Sequence, residues 1–295
     1  MPSRADGVRR IALDPAHVRP GSTLRPIARF VAERGGVEQA SVVFGQAEIF
    51  EREPVEHALA RLSWTGDRLD AASEVMNAAI HAAPSAAPVY FPVSAAVSSD
   101  HAHRRAIAEA CGFRLFQEKE GFWWADTGQD LPAPAGLQLR PMSQIGRDPF
   151  VPLIARCLAG TLDRTDARVL ARRPPEQWVT TFLDHHAQGP DQGSWLLAES
   201  ADGAPIGFVG LSRSVGDTDA GTITLIGVLP QHRGHHYVDR LVHAAFRAAR
   251  ARGFTGVLSH VDVDNHPMTA AMHRTGASAD PHPWHKWLYA RGGNA

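Results

Sequence analysis

The chain has 295 residues, of which 44% are hydrophobic and 21% charged, and its formal net charge is −1 with a pI near 7.0. This length suits one large domain or two ordinary ones, and the balanced charge excludes a broadly basic nucleic-acid-binding protein. No apolar run approaches the roughly 20 residues of a membrane span, and no apolar stretch follows the basic N-terminus. We therefore expect a cytoplasmic protein without a signal peptide or a membrane partner, and the composition assigns no oligomeric state.

The N-terminal half predicts few elements clearly until its end. Residues 40–50 are typical of a strand and residues 70–81 of a helix. Beyond them, a strand at 89–97, a helix at 101–111, a stop at Gly112 and a closing strand at 116–124 are predicted. A segment rich in Pro, Gly and small residues follows at 126–136, and this composition is typical of an exposed linker.

The C-terminal half is much clearer. The patterns predict strands and helices in the order βααβββαβαβ, an α+β arrangement around a mixed, mostly antiparallel sheet. The predicted ranges are strand 137–141, helices 150–158 and 175–185, strands 195–199, 204–212 and 221–229, helix 234–252, strand 256–263, helix 267–274 and strand 285–289. The long helix carries apolar residues at a spacing of three to four, and Gly253 is a suitable stop for it.

The two halves share one local order of elements. Residues 89–124 and 256–289 both predict strand, helix, glycine and strand, with Asp100 at the place of Asn265 and Gly112 near the place of Gly276. We infer an internal duplication in which the N-terminal copy lacks a counterpart of Gln231-His-Arg-Gly234.

The strongest chemical signal runs from Ile226 to Tyr237 and leads from a strand through a Pro-Gln-His-Arg-Gly turn into an amphipathic helix. Such a turn presents backbone N–H groups at the positive end of a helix dipole, an arrangement that suits a pyrophosphate. Gly234 permits close approach of a phosphate, and Arg233 could add charge to it or stay solvated. The simpler alternative is an ordinary strand–turn–helix.

This segment resembles the GNAT acyltransferase family, and the likeness covers roughly Leu137 to the C-terminus. The family pattern Gln/Arg-x-x-Gly-x-Gly/Ala falls on Gln231, Gly234 and His236, where histidine replaces the small residue. A second family motif, Asn-x-x-Ala followed by Gly-Phe, resembles the stretch from Asn265 to Ala277.

The resemblance implies two GNAT-like domains, each a mixed, mostly antiparallel sheet flanked by helices, with the N-terminal one degenerate. The expected boundaries are 1–126 for that domain, 127–136 for the linker and 137–295 for the acyltransferase domain. It also implies that acetyl-CoA or another acyl-CoA is a substrate, with its pantetheine arm on Val228 and facing Asn265. The expected donor-binding residues are Gly227, Val228, Gln231, Arg233, Gly234, His235, His236 and Asn265.

The chemistry that the resemblance implies is direct transfer of the acyl group to the amine of a small molecule, with the oxyanion held by the Val228 N–H. The usual tyrosine acid falls at Met272, so Tyr237 and His273 are the alternative acids. No carboxylate lies on the strand before the turn, which leaves Asp262, Asp264 and His260 as candidate bases. Asp163 is a candidate for binding the acceptor amine, with a turn or capping role as its alternative.

Other features of the sequence favour simpler readings. His232 and His236 straddle the turn, so we expect no metal. The arginines between Arg247 and Arg252 are expected to be solvated, with a CoA phosphate as the alternative partner. Two other functions remain open: a non-catalytic acyl-CoA-binding protein, and a transferase that takes its acyl group from aminoacyl-tRNA, which the near-neutral charge disfavours.

Overall fold

The computed structural model describes residues 7–13, 24–47, 57–84, 88–94, 100–214 and 219–290. The chain divides into two compact units, one made of Met1–Glu118 with His282–Ala295 and the other of Lys119–Pro281. The predicted strand ends at 48–50 and 95–97 lie outside the described residues, as do residues 215–218 between the predicted strands 204–212 and 221–229.

The first 125 residues supply six strands and two helices. These are β1 (Gly7–Ala12), β2 (Leu24–Arg34), β3 (Val37–Ala47), β4 (His57–Trp64), α1 (Leu69–Ala82), β5 (Val89–Ser94), α2 (His101–Ala110) and β6 (Arg114–Ala125). Helix α1 forms because small and apolar residues recur every three to four positions from Ala71 to Ile80, which places them on one buried face.

The remaining residues supply six more strands and six helices. These are β7 (Gln138–Pro141), α3 (Met142–Ile145), α4 (Phe150–Cys157), α5 (Arg164–Leu170), α6 (Pro175–His186), β8 (Trp195–Glu199), β9 (Pro205–Arg213), β10 (Ala220–Val228), α7 (Tyr237–Ala251), β11 (Gly256–Asp262), α8 (His266–Arg274) and β12 (Ser278–Tyr289). Among the described residues, no helix is long and apolar enough to cross a membrane.

The N-terminal unit is a sheet in the order β1-β2-β3-β4-β5, extended by residues 284–289 of β12. All of its pairs are antiparallel except β4 with β5. Its core packs α1 against the sheet and includes Phe30, Phe44, Met76 and Phe91.

In the C-terminal unit the strands follow the order β7-β8-β9-β10-β11, extended by residues 119–125 of β6. Only β10 and β11 are parallel. Its core joins α7 and Met272 of α8 to one face of the sheet, while Cys157 of α4 lies against Gly227 on the other face. The expected α+β architecture with two mostly antiparallel sheets is confirmed.

The unit boundaries differ from the expected 126 and 137. Residues 119–125 pair with β11, and residues 284–289 pair with β5. Each unit therefore takes its last strand from the other half of the sequence, whereas the sequence suggested that each half closes its own sheet. Strand order depends on hydrogen bonding between distant segments, which the local pattern of a strand does not encode.

The expected linker is part of the C-terminal unit. Arg250 of α7 binds the Asp126 carboxylate through Nη2 at 2.7 Å, and Arg247 donates to the carbonyl of Leu131 at 2.7 Å. Residues 126–136 therefore lie along α7, and these two arginines are bound to protein groups rather than fully solvated as expected.

The inferred duplication is visible in how α2 and α8 end. Phe113 N donates to Ala108 O, and Ala277 N donates in the same way to Met272 O. Gly112 and Gly276 take φ values of 82° and 84°, the left-handed conformation that glycine tolerates. Asp100 and Asn265 occupy the N-cap positions of the two helices, in agreement with their equivalent places in the two halves of the sequence.

Candidate functional site

Strands β10 and β11 separate along their length. Their parallel pairing is limited to Ala220 with Gly256, Gly221 with Val257 and Thr222 with Leu258. Among the described residues, none from Ile223 to Val228 pairs with β11. The second half of β10 therefore presents a backbone edge to an opening in the sheet.

A bulge accompanies this separation. The register of β10 against β9 shifts between Ile223 and Leu225, so Thr224 is an extra residue in the ladder. A β-bulge bends its strand and increases the local twist, which accounts for the divergence of β10 from β11.

The backbone of Val228 faces the opening. Leu229 N donates to Ile206 O of β9 at 2.9 Å, so Leu229 lies in a hydrogen-bonded position of the antiparallel ladder. Neighbouring residues of such a strand direct their N–H groups to opposite edges. The Val228 N–H therefore points away from β9 and toward the side of β11.

The turn after β10 has the geometry of an anion site. Gly234 has a φ of 82° and His236 a φ of 57°, and α7 starts directly afterwards at Tyr237. Within the described chain, no acceptor is found for the N–H groups of Gly234, His235 and His236. We call residues 231–236 the donor loop, because its N–H groups and the start of α7 together favour a negative ligand.

His236 stands where the family pattern has a small residue, and its left-handed backbone explains that preference. Its Nδ1 lies 3.3 Å from Oδ2 of Asp239, which Arg274 of α8 binds at 2.7 and 2.8 Å. The predicted start of the helix at 234 is three residues early, because Gly234 and His236 both have positive φ.

Arg233 has a different role from either of its expected ones. Its guanidinium donates to the carbonyls of Val228, Cys157 and Ala159 at 3.2, 2.8 and 2.9 Å. The side chain therefore fastens the donor loop to the end of α4 instead of adding charge to a phosphate or staying solvated. Gln231, also in the donor loop, is exposed.

Two other expected donor-binding residues have structural roles. A Cβ on Gly227 would lie 2.9 Å from both Cys157 Cβ and a ring carbon of Phe208, so glycine is required for this packing. Asn265 caps α8 by accepting from Met268 N at 3.3 Å, and its amide NH₂ group is not used by that cap.

Lys119 brings together two of the candidate polar residues. It lies directly opposite Asp262 in the β6–β11 register, and its ammonium is 2.6 Å from Oδ2 of Asp163. The other oxygen of Asp163 caps α5 by accepting from Asp166 N at 3.0 Å. The expected role of Asp163 in binding the acceptor is therefore replaced by an ion pair and the capping role.

The two candidate aspartate bases are also engaged. Asp262 is 2% exposed, and its Oδ2 accepts from the backbone N–H of Arg164 at 3.0 Å. Asp264 is exposed and forms an ion pair with the guanidinium of Arg164. Neither carboxylate is a free proton acceptor.

His260 is the remaining candidate. Alternation along β11 places it on the same sheet face as Asp262 and opposite Val257 and Val261, which pack with the α7 core. Burial, followed by the nearby charge of Lys119, lowers the pKa of His260, while Asp280 acts in the other direction. A half-buried imidazole that stays neutral is a suitable base at neutral pH.

The candidate acids are separated from His260. His273 contacts the ring of Phe122 at 5.3 Å, and Phe122 belongs to the α7 face of the sheet. Tyr237 is half-buried at the first position of α7, with the Arg240 guanidinium 5.1 Å from its ring centre. Met272, at the usual tyrosine position, is 1% exposed and belongs to the core.

Sequence reasoning missed Lys119 and the Asp239–Arg274 pair. Lys119 lies in a strand assigned to the other domain, so no local signal could connect it with Asp163 or Asp262. The pair on α7 and α8 joins two helices whose contact is not encoded in either helix alone. Among the described residues, no group of three or more His, Cys, Asp or Glu side chains is placed to hold a metal.

The N-terminal unit keeps the strand geometry of the site without the donor loop. Strands β4 and β5 pair in parallel only at His57 with Val89 and Ala58 with Tyr90. Four residues, 65–68, join β4 to α1, against eight residues, 229–236, between β10 and α7. The short turn ends in an Arg68–Asp70 pair, so a carboxylate lies in the first turn of α1.

Comparison with known proteins agrees with this description. Residues 165–277 match the Acetyltransferase (GNAT) family. No curated protein sequence matches the chain significantly.

Several solved structures share the fold. A GCN5-related N-acetyltransferase from Sphaerobacter thermophilus is 18% identical, with a TM-score of 0.61 over 89% of this chain and 79% of that one. A tandem GNAT protein from the clavulanic acid biosynthesis pathway is 17% identical, with a TM-score of 0.62 over 91% and 84%. A GNAT-family acetyltransferase from Colwellia psychrerythraea is 10% identical, with a TM-score of 0.54 over 89% and 85%. The chain thus has the tandem GNAT fold, and its residues 165–277 form a GNAT-family domain.

Proposed function

We propose that the C-terminal unit is an acyl-CoA-dependent N-acyltransferase that moves an acyl group, with acetyl as the first to test, to the amine of a small molecule. The observation that carries this proposal is the continuity of two features. The second half of β10 has an unpaired edge, and its Val228 N–H points into the opening beside β11. This strand leads directly into the donor loop at the start of α7.

This continuity suits the shape of an acyl-CoA. Its pyrophosphate would accept from the N–H groups of Gly234, His235 and His236, which have no acceptor among the described residues. Its pantetheine arm would extend along the unpaired edge of β10, with the amide of Asn265 as a further partner. The thioester oxygen would then meet the Val228 N–H, which stabilises the charge that develops there.

The reaction needs one proton acceptor. The lone pair of the acceptor nitrogen attacks the thioester carbon, a C–N bond forms, and the C–S bond breaks to release the CoA thiolate. The nitrogen loses one proton to a base, for which we propose His260, because Asp262 and Asp264 are both engaged with Arg164. The expected bases Asp262 and Asp264 are therefore assigned to holding the loop at Arg164.

A dedicated acid is not required for the leaving group. A thiol has a pKa near 8.5, so its thiolate leaves readily at neutral pH. Tyr237 and His273 remain the side chains to test for protonation of the thiolate. Met272 stands at the usual tyrosine position and is buried. The absence of that acid favours a second candidate function, a non-catalytic acyl-CoA-binding protein.

The test is transfer by the full-length chain from acetyl-CoA to a panel of small primary amines, with the products identified by mass spectrometry. We expect an acetylated amine at a rate that His260→Gln lowers by about a hundredfold or more. Binding of acetyl-CoA without any acetylated product would favour the non-catalytic function. If the chain bound no acyl-CoA but bound aminoacyl-tRNA in a salt-sensitive manner, the tRNA-dependent alternative would replace this proposal.

A further inference from the structure

The C-terminal unit contains a lysine that comes from the N-terminal half of the sequence. Lys119 lies on β6, ahead of the segment that matches the family, and pairs with β11 in the C-terminal unit. Its side chain is 18% exposed, and Asp163, its ion-pair partner, is 24% exposed. A lysine that is mostly withdrawn from solvent is stabilised by anions that compensate its charge.

The charges around Lys119 come from two separate elements. Asp262 faces it across the β6–β11 ladder, while Asp163 and Asp166 approach from the start of α5. Burial alone would lower the pKa of Lys119, but the charges of Asp163, Asp262 and Asp166 outweigh it, so the pKa is raised. Lys119 is therefore a permanent cation at neutral pH.

The same lysine acts on His260. On β6, Lys119 and Gly121 share a sheet face, and Gly121 lies directly opposite His260. A Cβ on Gly121 would lie 2.9 Å from Asp280 Cβ, so Asp280, at the start of β12, packs against this face. The charged groups that face His260 are thus Lys119 from β6, Asp280 from β12 and Asp262 from β11 itself.

We propose that Lys119 is a positioning residue for acyl transfer, which pairs with Asp163 and lies opposite Asp262 in one charged array beside His260. The proposal rests on the proposed function, because it assigns a task to the array in that reaction. The array has two effects. It fixes the loops at 161–164 and 262–264 through Arg164, and the charge of Lys119 adds to burial, the larger cause, in lowering the pKa of His260.

This role gives the end of β6 a task in the C-terminal unit. Residues 119–125 complete the sheet of the C-terminal unit and carry Lys119 into it. A fragment limited to the family segment at 165–277 would leave Asp262 buried without this cation.

The test is the pKa of the His260 imidazole, measured by NMR in the full-length chain and assigned with His260→Gln. In Lys119→Met the positive neighbour is lost while Asp163 and Asp262 remain, so the pKa should rise by about one unit. In Asp163→Asn the cation loses its partner, so the pKa should fall. Asparagine is also a good N-cap residue, so α5 should stay capped.

The opposite directions separate this role from a purely structural one, because general loosening of the unit would shift both variants the same way. In Lys119→Arg the pKa of His260 should stay near the wild-type value. Lys286→Met, which removes a lysine stacked on Tyr90 in the other unit, should leave that pKa unchanged. If Lys119→Met does not fold, Asp163→Asn and Lys119→Arg still test the direction of the shift in the His260 pKa. A His260 pKa that is unchanged in Lys119→Met and Asp163→Asn, or that moves in the same direction in both, overturns the proposal.

Kinetics supply the link to the reaction. With the most reactive amine of the panel, the acid limb of kcat/KM against pH should move with the NMR pKa in each variant. If the NMR shifts appear but the wild type acetylates no amine, the acyltransferase proposal fails and the role of Lys119 in transfer fails with it. If transfer occurs but the acid limb does not follow the imidazole, only the inference about Lys119 is overturned.

Discussion

Nη2 of Arg233 lies 2.8 Å from the carbonyl oxygen of Cys157, so the donor loop is fastened to the end of α4. The same nitrogen reaches Ala159 O, and Nε reaches Val228 O. One side chain therefore joins the donor loop, the edge of β10 and the segment that leads to Asp163. This connection makes Arg233 a structural residue of the proposed donor site.

Replacing Arg233 by glutamine should destabilise the C-terminal unit. Three carbonyl groups lose a charged donor, and leaving such groups unpaired costs about 1–3 kcal/mol. We expect a lower midpoint in urea denaturation and weaker acetyl-CoA binding. Arg240→Gln is the matched control, since Arg240 donates to the single carbonyl of Ala135 at an exposed site. Equal stability of the two variants would contradict this account of Arg233.

The left-handed backbone of His236 predicts an order of stabilities. His236→Gly should be more stable than His236→Ala by about 1 kcal/mol, because only glycine adopts a φ of 57° without a Cβ penalty. Both variants lose the contact with Asp239, so the comparison isolates the backbone. Thermal unfolding of the pair measures the difference, and a more stable alanine variant would mean that the turn is not left-handed in solution.

Close packing of α4 against β10 predicts that a larger residue at position 227 strongly destabilises the protein. Gly227→Ala should destabilise the protein by about 1–3 kcal/mol, since the new methyl group would overlap Cys157 and Phe208. Gly193→Ala is the control, because a Cβ there lies 3.9 Å from Ser143 Oγ and meets no overlap. A tolerated alanine at position 227 would show that α4 is not held against β10.

Protonation of His186 should contribute to the pH dependence of the free energy of unfolding. Burial lowers the pKa of His186 to about 4, and the charge of His185 acts in the same direction. Because the unfolded state binds the proton more readily, this contribution is complete above about pH 6.5 and is lost as pH falls toward 4. The total is about 3 kcal/mol at the limit.

His186→Phe should remove that part of the pH dependence, since phenylalanine can keep the contact with Phe182, whose ring centre lies 4.4 Å away. His185→Gln is the control on the exposed side of the same helix end. Urea denaturation at pH 5 and pH 7.5 measures the effect. An unchanged difference between the two pH values in His186→Phe would show that His186 is not the titrating group.

Much of the C-terminal fold could be predicted from periodicity and turn residues. Strand 195–199 was predicted with its observed bounds, and the helix at 150–158 within one residue. These elements have strong local patterns, because each buries one regular face. Helix α5 was missed because it is short and begins in a polar segment, and its start is fixed by the Asp163 cap.

The site was predictable only where its chemistry is local. The donor loop follows from adjacent residues, so the sequence pattern indicated it. The partners of Arg233, Asp163 and Asp262 come from distant segments, and the partner of Asp163 comes from a strand of the other half. Packing of this kind cannot be inferred from one segment, which is why each of these side chains received another role.

The measurement that tests the central claim most directly is calorimetric titration of the full-length protein with acetyl-CoA, alongside Gly234→Val and Gly203→Val. Both glycines have a φ of 82° and open space around them, so the two substitutions impose the same backbone strain. Only Gly234 lies in the donor loop. We expect the wild type and Gly203→Val to bind alike and Gly234→Val to bind at least about tenfold more weakly. Equal affinities in all three proteins, or no binding by the wild type, would contradict the assignment of the donor loop.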